Sequence, residues 1–238
     1  MLAVGLTYLM IPRREAGDTA LRVGVGDDIT ALLMEEAVRL GDVGSLEVSQ
    51  LTDCCGSAAQ WAITSGDLDI GFYCSDIALT LINIDGGLEI YGPTIMNAEV
   101  AALACKREAA RTFAIPLKRL FLGDVVRKGF PAVTEIDQAS IASLHYVLAG
   151  GNVDGIVVDI AKALRAPDFD YQPLSGGEYV SYCLVAKKAV IGTPRFERFI
   201  EAYNLAVDEF NDIAFLKERY DMDDAFWQSV ETKFLYLD

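Results

Sequence analysis

Histidine is almost missing from this chain: His145 is the only one in 238 residues. That scarcity removes the usual partners of a zinc ligand set or a histidine-based relay. The five cysteines (Cys54, Cys55, Cys74, Cys105, Cys183) include no C-x-x-C pair to take their place. An odd number of cysteines in so long a chain is no disulfide framework, and at least one thiol stays free. Basic residues are also short, 20 against 35 acidic, and the formal charge of -15 argues against nucleic acid and anionic lipid surfaces as partners. Nothing reads as a membrane-spanning helix. The apolar stretch near the start, Leu2 to Ile11, is too short to cross a bilayer, and it carries Arg13 and Arg14 after it, the reverse of the usual signal-peptide polarity.

Apolar residues are plentiful, at 52% of the chain, which suits one large domain or two modest lobes. "LRVGVG" (21–26) is a branched apolar run ending in glycine and reads as a buried strand. "DDITALLMEEAVRLG" follows with Ile29, Leu32, Leu33, Ala37 and Leu40 at helical spacing, an Asp at the N-cap and Gly41 as the stop. "SLEVSQL" alternates as a strand, "CCGSAAQWAITSG" reads as a second helix, and "LDIGFY" as a third strand. This order predicts an α/β layer with a largely parallel sheet, whose functional loops lie at the carboxyl ends of the strands.

Part of the pattern occurs twice. "AITSGDLDIGFY" and "YVLAGGNVDGIVVD" both run helix end, glycine stop, apolar residue, Asp, strand, with Asp69 and Asp154 85 residues apart. Two related lobes are expected from this. "LEIYGPTIMNAEVAALACKRE" is broken at Gly92 and Pro93, where the chain is expected to cross between lobes. The turn cluster Pro173, Ser175, Gly176 and Gly177 offers the return. Thr193 and Pro194 then open an amphipathic helix whose Phe196, Phe199, Ile200, Tyr203, Val207 and Phe210 belong in the core. A final helix pair, in "IAFLKERY" and "DDAFWQSVETKF", is expected to pack back onto one lobe.

The adjacent Cys54 and Cys55 in "LTDCCGSAAQW" are poorly placed to bridge each other. Neighbouring Cα atoms lie about 3.8 Å apart, below the roughly 4.4 Å lower bound of ordinary disulfides. They read as small packing residues, as part of a binding wall, or as a nucleophile activated at a helix amino end. Asp27 or Asp28 is more simply an N-cap than a ligand contact, and Asp76 is expected to cap the helix around "IALTLI". Cys105 and Cys183 read as strand core, His145 as a partly buried structural residue, and Arg127 and Lys128 as a solvated loop within reach of an anion.

The runs "SGDLDIGFY", "GGNVDGIVVDIAKAL", "YVSYCLVAKK", "GTPRFERFIEAYNLAVDEFN" and "LKERYDMDDAFWQSVETKF" together resemble the type 2 solute-binding proteins of ABC transporters, nearest in pattern to the nitrate, sulfonate, taurine and thiamine-precursor group. The resemblance implies an α/β fold of two lobes, mixed sheets flanked by helices, joined by a two-strand hinge. The lobes would be 18–92 plus 187–238, and 93–186. It implies a cleft lined by Asp27, Asp28 and Ile29; by Cys54, Cys55, Gly56 and Ser57; by Tyr73, Cys74, Ser75 and Asp76; and, from the second lobe, by Asp137, Gln138 and Ser140 before a helix and Asp159 after a strand. It further implies a monomer that uses no cofactor or metal, works outside the cytoplasm, makes or breaks no bonds, and hands a small molecule to an ABC permease. The alternative is a cytoplasmic enzyme on the same fold, of the menaquinone-pathway or thiamine-pyrimidine-synthase kind. One departure stands out, because "VVRKGFP" between "LKRLFLGD" and "AVTEID" looks too short for the helix such proteins carry there. Acidic residues at the expected rim favour a cationic ligand and helix amino ends an anionic one, and the sequence alone does not rank the two.

Overall fold

The computed structural model describes residues 20–51 and 56–238. The first apolar run forms β1 (Leu21–Gly26), followed by α1 (Ile29–Leu40), which Asp28 caps by accepting from the Thr30 amide and Gly41 ends. β2 (Leu46–Leu51), α2 (Ser57–Thr64), β3 (Ile70–Cys74) and α3 (Ser75–Ile84) complete the expected alternation. β1 pairs in parallel with both β2 and β3. Beyond β4 (Leu88–Met96) come β5 (Glu99–Leu103), β6 (Thr112–Pro116), α4 (Phe121–Gly129), β7 (Glu135–Ala139), α5 (Leu144–Ala149), β8 (Gly155–Asp159), α6 (Ile160–Leu164) and β9 (Asp170–Pro173). The chain ends through β10 (Val180–Lys187), α7 (Pro194–Phe210), α8 (Ile213–Arg219), α9 (Asp224–Ser229) and β11 (Lys233–Phe234).

These strands form a six-stranded sheet in the order β11-β4-β10-β3-β1-β2 and a five-stranded sheet in the order β7-β6-β8-β5-β9. The two share one plan. β4-β10-β3-β1-β2 in the first matches β9-β5-β8-β6-β7 in the second, with parallel pairs at β3-β1-β2 and β8-β6-β7 and antiparallel neighbours beyond them. The repeated Asp explains itself at this level. Asp69 precedes β3 and accepts from the Arg22 amide of β1 at 3.1 Å, while Asp154 precedes β8 and accepts from the Thr112 amide of β6 at 3.0 Å. Each carboxylate takes the N–H that would otherwise be orphaned where two parallel strands begin out of step.

The chain changes sheets between Met96 and Glu99 and returns between Pro173 and Val180. The expected crossing at Gly92 and Pro93 therefore falls inside β4. Pro93 cannot donate to a ladder, but it sits opposite Cys183 at a register shift between β4 and β10, where a missing donor is tolerated. The segment expected to be too short for a helix is the nine-residue α4, because the helix starts upstream at Phe121 and uses "FLGD" as its first turn. The carboxyl-terminal helices do not rest on one lobe. α8 leans on α7, α9 lies against β9 with Tyr171 and Phe226 rings 5.8 Å apart, and β11 extends the first sheet beside β4.

α7 supplies the apolar face that the sequence spacing promised. Phe196, Phe199, Tyr203 and Phe210 are buried, and the Tyr203 ring stacks on Phe72 of β3 at 6.0 Å. Each ring so buried contributes about 1.5–3 kcal/mol relative to leaving it in water. The second sheet closes over its own cluster, in which Phe113 and Phe130 meet at 4.8 Å.

Candidate functional site in the cleft between the sheets

Parallel strands aim their carboxyl ends, and the helix amino ends that follow, toward one side of a sheet. Here both sheets aim at the same gap. From the first come Asp27 and Asp28 after β1; from the second come Pro116 at the end of β6 and Arg119 after it, Val158 and Asp159 at the end of β8, and Lys162 of α6. Ile141 and Leu144 add an apolar wall and Tyr182 of β10 a floor. The cavity they enclose has a volume of about 20 Å³, room for roughly one water. The lobes are shut on each other.

Asp159 holds them together. Its Oδ1 caps α6 by accepting from the Ala161 amide at 2.8 Å, and the same oxygen accepts from the Ile29 amide of α1, across the gap, at 2.9 Å. Its Oδ2 accepts from the Tyr182 hydroxyl at 2.9 Å, and that hydroxyl accepts from Arg119 Nη2 at 2.9 Å. Arg119 Nη1 donates to Glu99 Oε1 at 2.7 Å, and the Ser181 hydroxyl donates to Glu99 Oε2 at 2.6 Å. Arg119 and Glu99 have side chains 2% and 0% exposed, a burial offset by their close pairing and by the further bonds to Tyr182 and Ser181. At the rim, Asp27 bridges the gap a second time by pairing with Lys162 and Arg165 of the other lobe.

Burial sets the charge state of this centre. It pushes Asp159 well above the usual carboxylate range, with Asp28 and Glu99 adding repulsion and Arg119 pulling back. Burial likewise raises Glu99 against the pull of Arg119 and Ser181, and raises Asp76. Asp27 goes the other way: burial opposes ionisation, but Lys162 and Arg165 hold it below its ordinary value.

Of the residues expected at the site, Asp27, Asp28, Ile29 and Asp159 are brought together. Cys54 and Cys55 lie outside the described residues. Gly56 caps α2 and Ser57 begins it, without a side-chain cap bond. Tyr73 is buried and donates its hydroxyl to the Ala59 carbonyl at 3.0 Å, so it braces β3 against α2. Cys74, fully buried, is the N-cap of α3; Ser75 opens that helix directly, and Asp76 lies in its first turn instead of capping it. Asp137, Gln138 and Ser140 do precede a helix, since Ser140 caps a 3-10 turn at Ile141–Ser143 that runs into α5, but Asp137 and Gln138 are not at the cavity. They lie exposed on the edge strand β7, where Gln138 Oε1 accepts from the Lys118 amide at 3.2 Å, and Ser140 bonds Ser143 at 2.8 Å. Cys105 is not in a strand either, since β5 ends at Leu103 and leaves it half-exposed in a turn. Cys183 is buried in β10, which pushes its thiol up to about 11. His145 Nε2 is 3.1 Å from the Tyr171 hydroxyl, with its ring 4.9 Å from Phe169, and burial lowers its pKa.

Arg119, Glu99, Tyr182 and Lys162 were not anticipated. One signal was present: Glu99 is a lone charge in the apolar run "NAEVAALAC", and a carboxylate placed so implies a buried cation. Among the described residues no group of His, Cys, Asp and Glu is arranged to hold a metal ion, and no helix is long and apolar enough to cross a membrane.

No protein-family model matches the chain, and no curated protein matches it. Solved structures do. The ligand-binding component of an ABC-type import system from Staphylococcus aureus, with zinc bound, is 13% identical over 92% of this chain and 86% of that one, with a TM-score of 0.65. A putative methionine-binding lipoprotein from Bacillus subtilis is 11% identical over 93% and 100%, with a TM-score of 0.63. A nutrient-binding protein from Burkholderia cenocepacia, bound to methionine, is 17% identical over 83% and 97%, with a TM-score of 0.59. The chain has the two-lobed periplasmic binding protein fold. At these identities the likeness concerns the fold, and within it none of the three is named as a nitrate, sulfonate, taurine or thiamine-precursor binder. In this fold, the cleft between the sheets is where Asp27, Asp28, Arg119, Asp159 and Lys162 converge.

Proposed function

We propose that this chain is the solute-binding component of an ABC importer, holding a small polar molecule between its lobes and closing over it. The observation that carries this reading is the pair of contacts across the gap, Ile29 amide to Asp159 and Asp27 to Lys162 and Arg165. They are made between loops of opposite lobes, so opening the cleft breaks them and exposes a helix amino end, two carboxylates and two cations to a solute. Ligand then shifts the population from open to closed. Similar structures named as an import-system component and as a lipoprotein support a location outside the cytoplasm and a permease as partner.

The enzyme reading is less well supported. His145, the base that a Cys54 or Cys55 nucleophile would need, is instead engaged with Tyr171 and Phe169. The test is thermal denaturation against a library containing amino acids, amines, sulfonates, nitrate, zinc and pyrimidines, with the compounds quantified afterwards. A binding protein shows a raised Tm and undiminished ligand; at 100 times Kd the gain is about 2.7 kcal/mol. Consumption of the stabilising compound would sink the reading. Replacing Cys54 and Cys55 with Ser weakens binding only modestly if they line the wall.

A further inference from the structure

We propose, building on the solute-binding reading in which the lobes open and close, that residues 231–233 form a strap across the hinge that holds the cleft shut and sets how often it opens. The first crossing turns on one residue. On one side of it, Met96 is fixed to the first sheet by its pairing with Val180 and Lys233. On the other, Ala98 leads into β5, its carbonyl accepting from the Ile160 amide of α6 and its amide donating to Ser181 Oγ, both at 2.9 Å. Asn97 between them is 6% exposed and has a φ of 51°, a left-handed backbone that asparagine adopts more readily than most side chains do. It is also stitched to the return crossing, its amide donating to the Tyr179 carbonyl at 3.2 Å and its Oδ1 accepting from the Tyr179 amide at 3.0 Å.

The strap reaches both crossings from an anchor in the first lobe. The Leu235 amide donates to the Thr94 carbonyl of β4 at 2.8 Å, and Asn211 at the end of α7 exchanges two bonds with the Phe234 backbone, at 3.1 and 2.9 Å. From there Thr232 Oγ1 donates to the Asn97 carbonyl at 2.8 Å, and Glu231 Oε2 accepts from the Ser175 amide at 3.2 Å. Ser175 follows Leu174, which is buried in the core of the second lobe. The Glu231 bond therefore joins a tail carried by the first lobe to a segment carried by the second. Lys233 also pairs with Glu178, but both side chains stand in water and the pair contributes little.

Swinging the second lobe away changes the backbone at Asn97, turns its carbonyl from Thr232 and carries Ser175 from Glu231. Both bonds belong to the shut form and are lost on opening. None of Glu231, Thr232 and Lys233 lines the cavity between the lobes, so the strap acts on a solute through the balance of open and shut forms and not by touching it.

The experiment is amide hydrogen exchange, followed by NMR on the unliganded full chain. It is read at the Ile29 amide, whose bond to Asp159 crosses the gap, and at two buried amides bonded within one lobe each, Leu68 to the Ala62 carbonyl and Phe130 to the Val126 carbonyl. Thr232→Val and Glu231→Ala are each expected to speed exchange at Ile29 about three-fold, and the double variant about ten-fold, while Leu68 and Phe130 stay within about two-fold of wild type. Glu231 is exposed, so Glu231→Ala folds and gives the answer even where Thr232→Val does not. The inference is overturned if Glu231→Ala leaves Ile29 exchange at the wild-type rate, or if all three amides accelerate by the same factor, which would make the segment a brace of the fold alone. Exchange is measured with no ligand present, so the strap can fail while the solute-binding reading, tested by the compound library, stands.

Discussion

Removing the Asp69 carboxylate strands three donors at once, the Arg22 amide, Nε and Nη2, the last held at 2.7 Å. Asp69→Ala is expected to cost about 2 kcal/mol in urea denaturation at neutral pH, below the roughly 3–5 kcal/mol of a fully buried broken pair because Arg22 remains partly solvated. The pH dependence has a definite sign. Burial alone would raise the Asp69 pKa, but the Arg22 bonds and the nearby Lys187 leave it below its ordinary value. Stability from this group is therefore complete above the unfolded carboxylate pKa and is lost as pH falls through the lower, folded one. Urea midpoints taken between about pH 4 and pH 2 should fall more steeply for the wild type than for Asp69→Asn. A parallel pair of curves would refute the assignment. Asp69 and Asp154 were also the residues most legible in the sequence, since both sit at one local punctuation of glycine, apolar residue, Asp and strand. Arg119 was not: in "LKRLFLGD" it looks like any loop cation, and its partner Glu99 is 20 positions earlier. Such a pairing is written only in the fold.

At the scale of elements, periodicity exposed β1, α1, β3 and α7, where burial and helical or alternating spacing agree. It did not show that β4 runs on through Gly92 and Pro93, because proline reads as a breaker unless the register shift opposite it is known. Nor did it show α4, whose end depends on a contact remote in sequence. A Cβ built on Gly129 would lie 1.6 Å from the Leu174 carbonyl oxygen, and one on Gly176 would lie 2.4 Å from the Val125 carbonyl oxygen. The helix thus docks backbone to backbone against the segment returning to the first sheet. Gly129→Ala is expected to cost on the order of 3 kcal/mol or to prevent folding. Gly86→Ala, where an added Cβ meets nothing within 4 Å, should change stability by less than about 0.5 kcal/mol. Equal melting temperatures for the two variants would show that α4 is not seated this way. In α7, Phe199→Ala should cost about 3–5 kcal/mol by leaving a cavity against Phe72 and Tyr203.

For the whole molecule, the rim pairing of Asp27 with Lys162 and Arg165 acts as a latch whose strength is limited by solvent, since Asp27 is 34% and Arg165 49% exposed. Asp27→Asn is expected to shift the open–closed balance by about 1 kcal/mol, roughly five-fold toward open. Small-angle scattering should report it as a larger radius of gyration for the unliganded variant. Raising the salt should shrink the difference between variant and wild type. An unchanged radius at low salt would remove Asp27 from the closing machinery.

Val100 stands opposite Pro173 and Leu103 opposite Asp170 in the ladder between β5 and β9. The second sheet is therefore one unbroken length of chain that starts and finishes on adjacent strands, about 4.8 Å apart. Topologically it is a cassette. It can be lifted out, or traded for the corresponding piece of a related protein, through two neighbouring joints and without rerouting the first sheet. Asp159, Arg119 and Lys162 travel with it while Asp27 and Asp28 stay in place, so on the proposed function an exchange by recombination re-specifies one wall of the cleft.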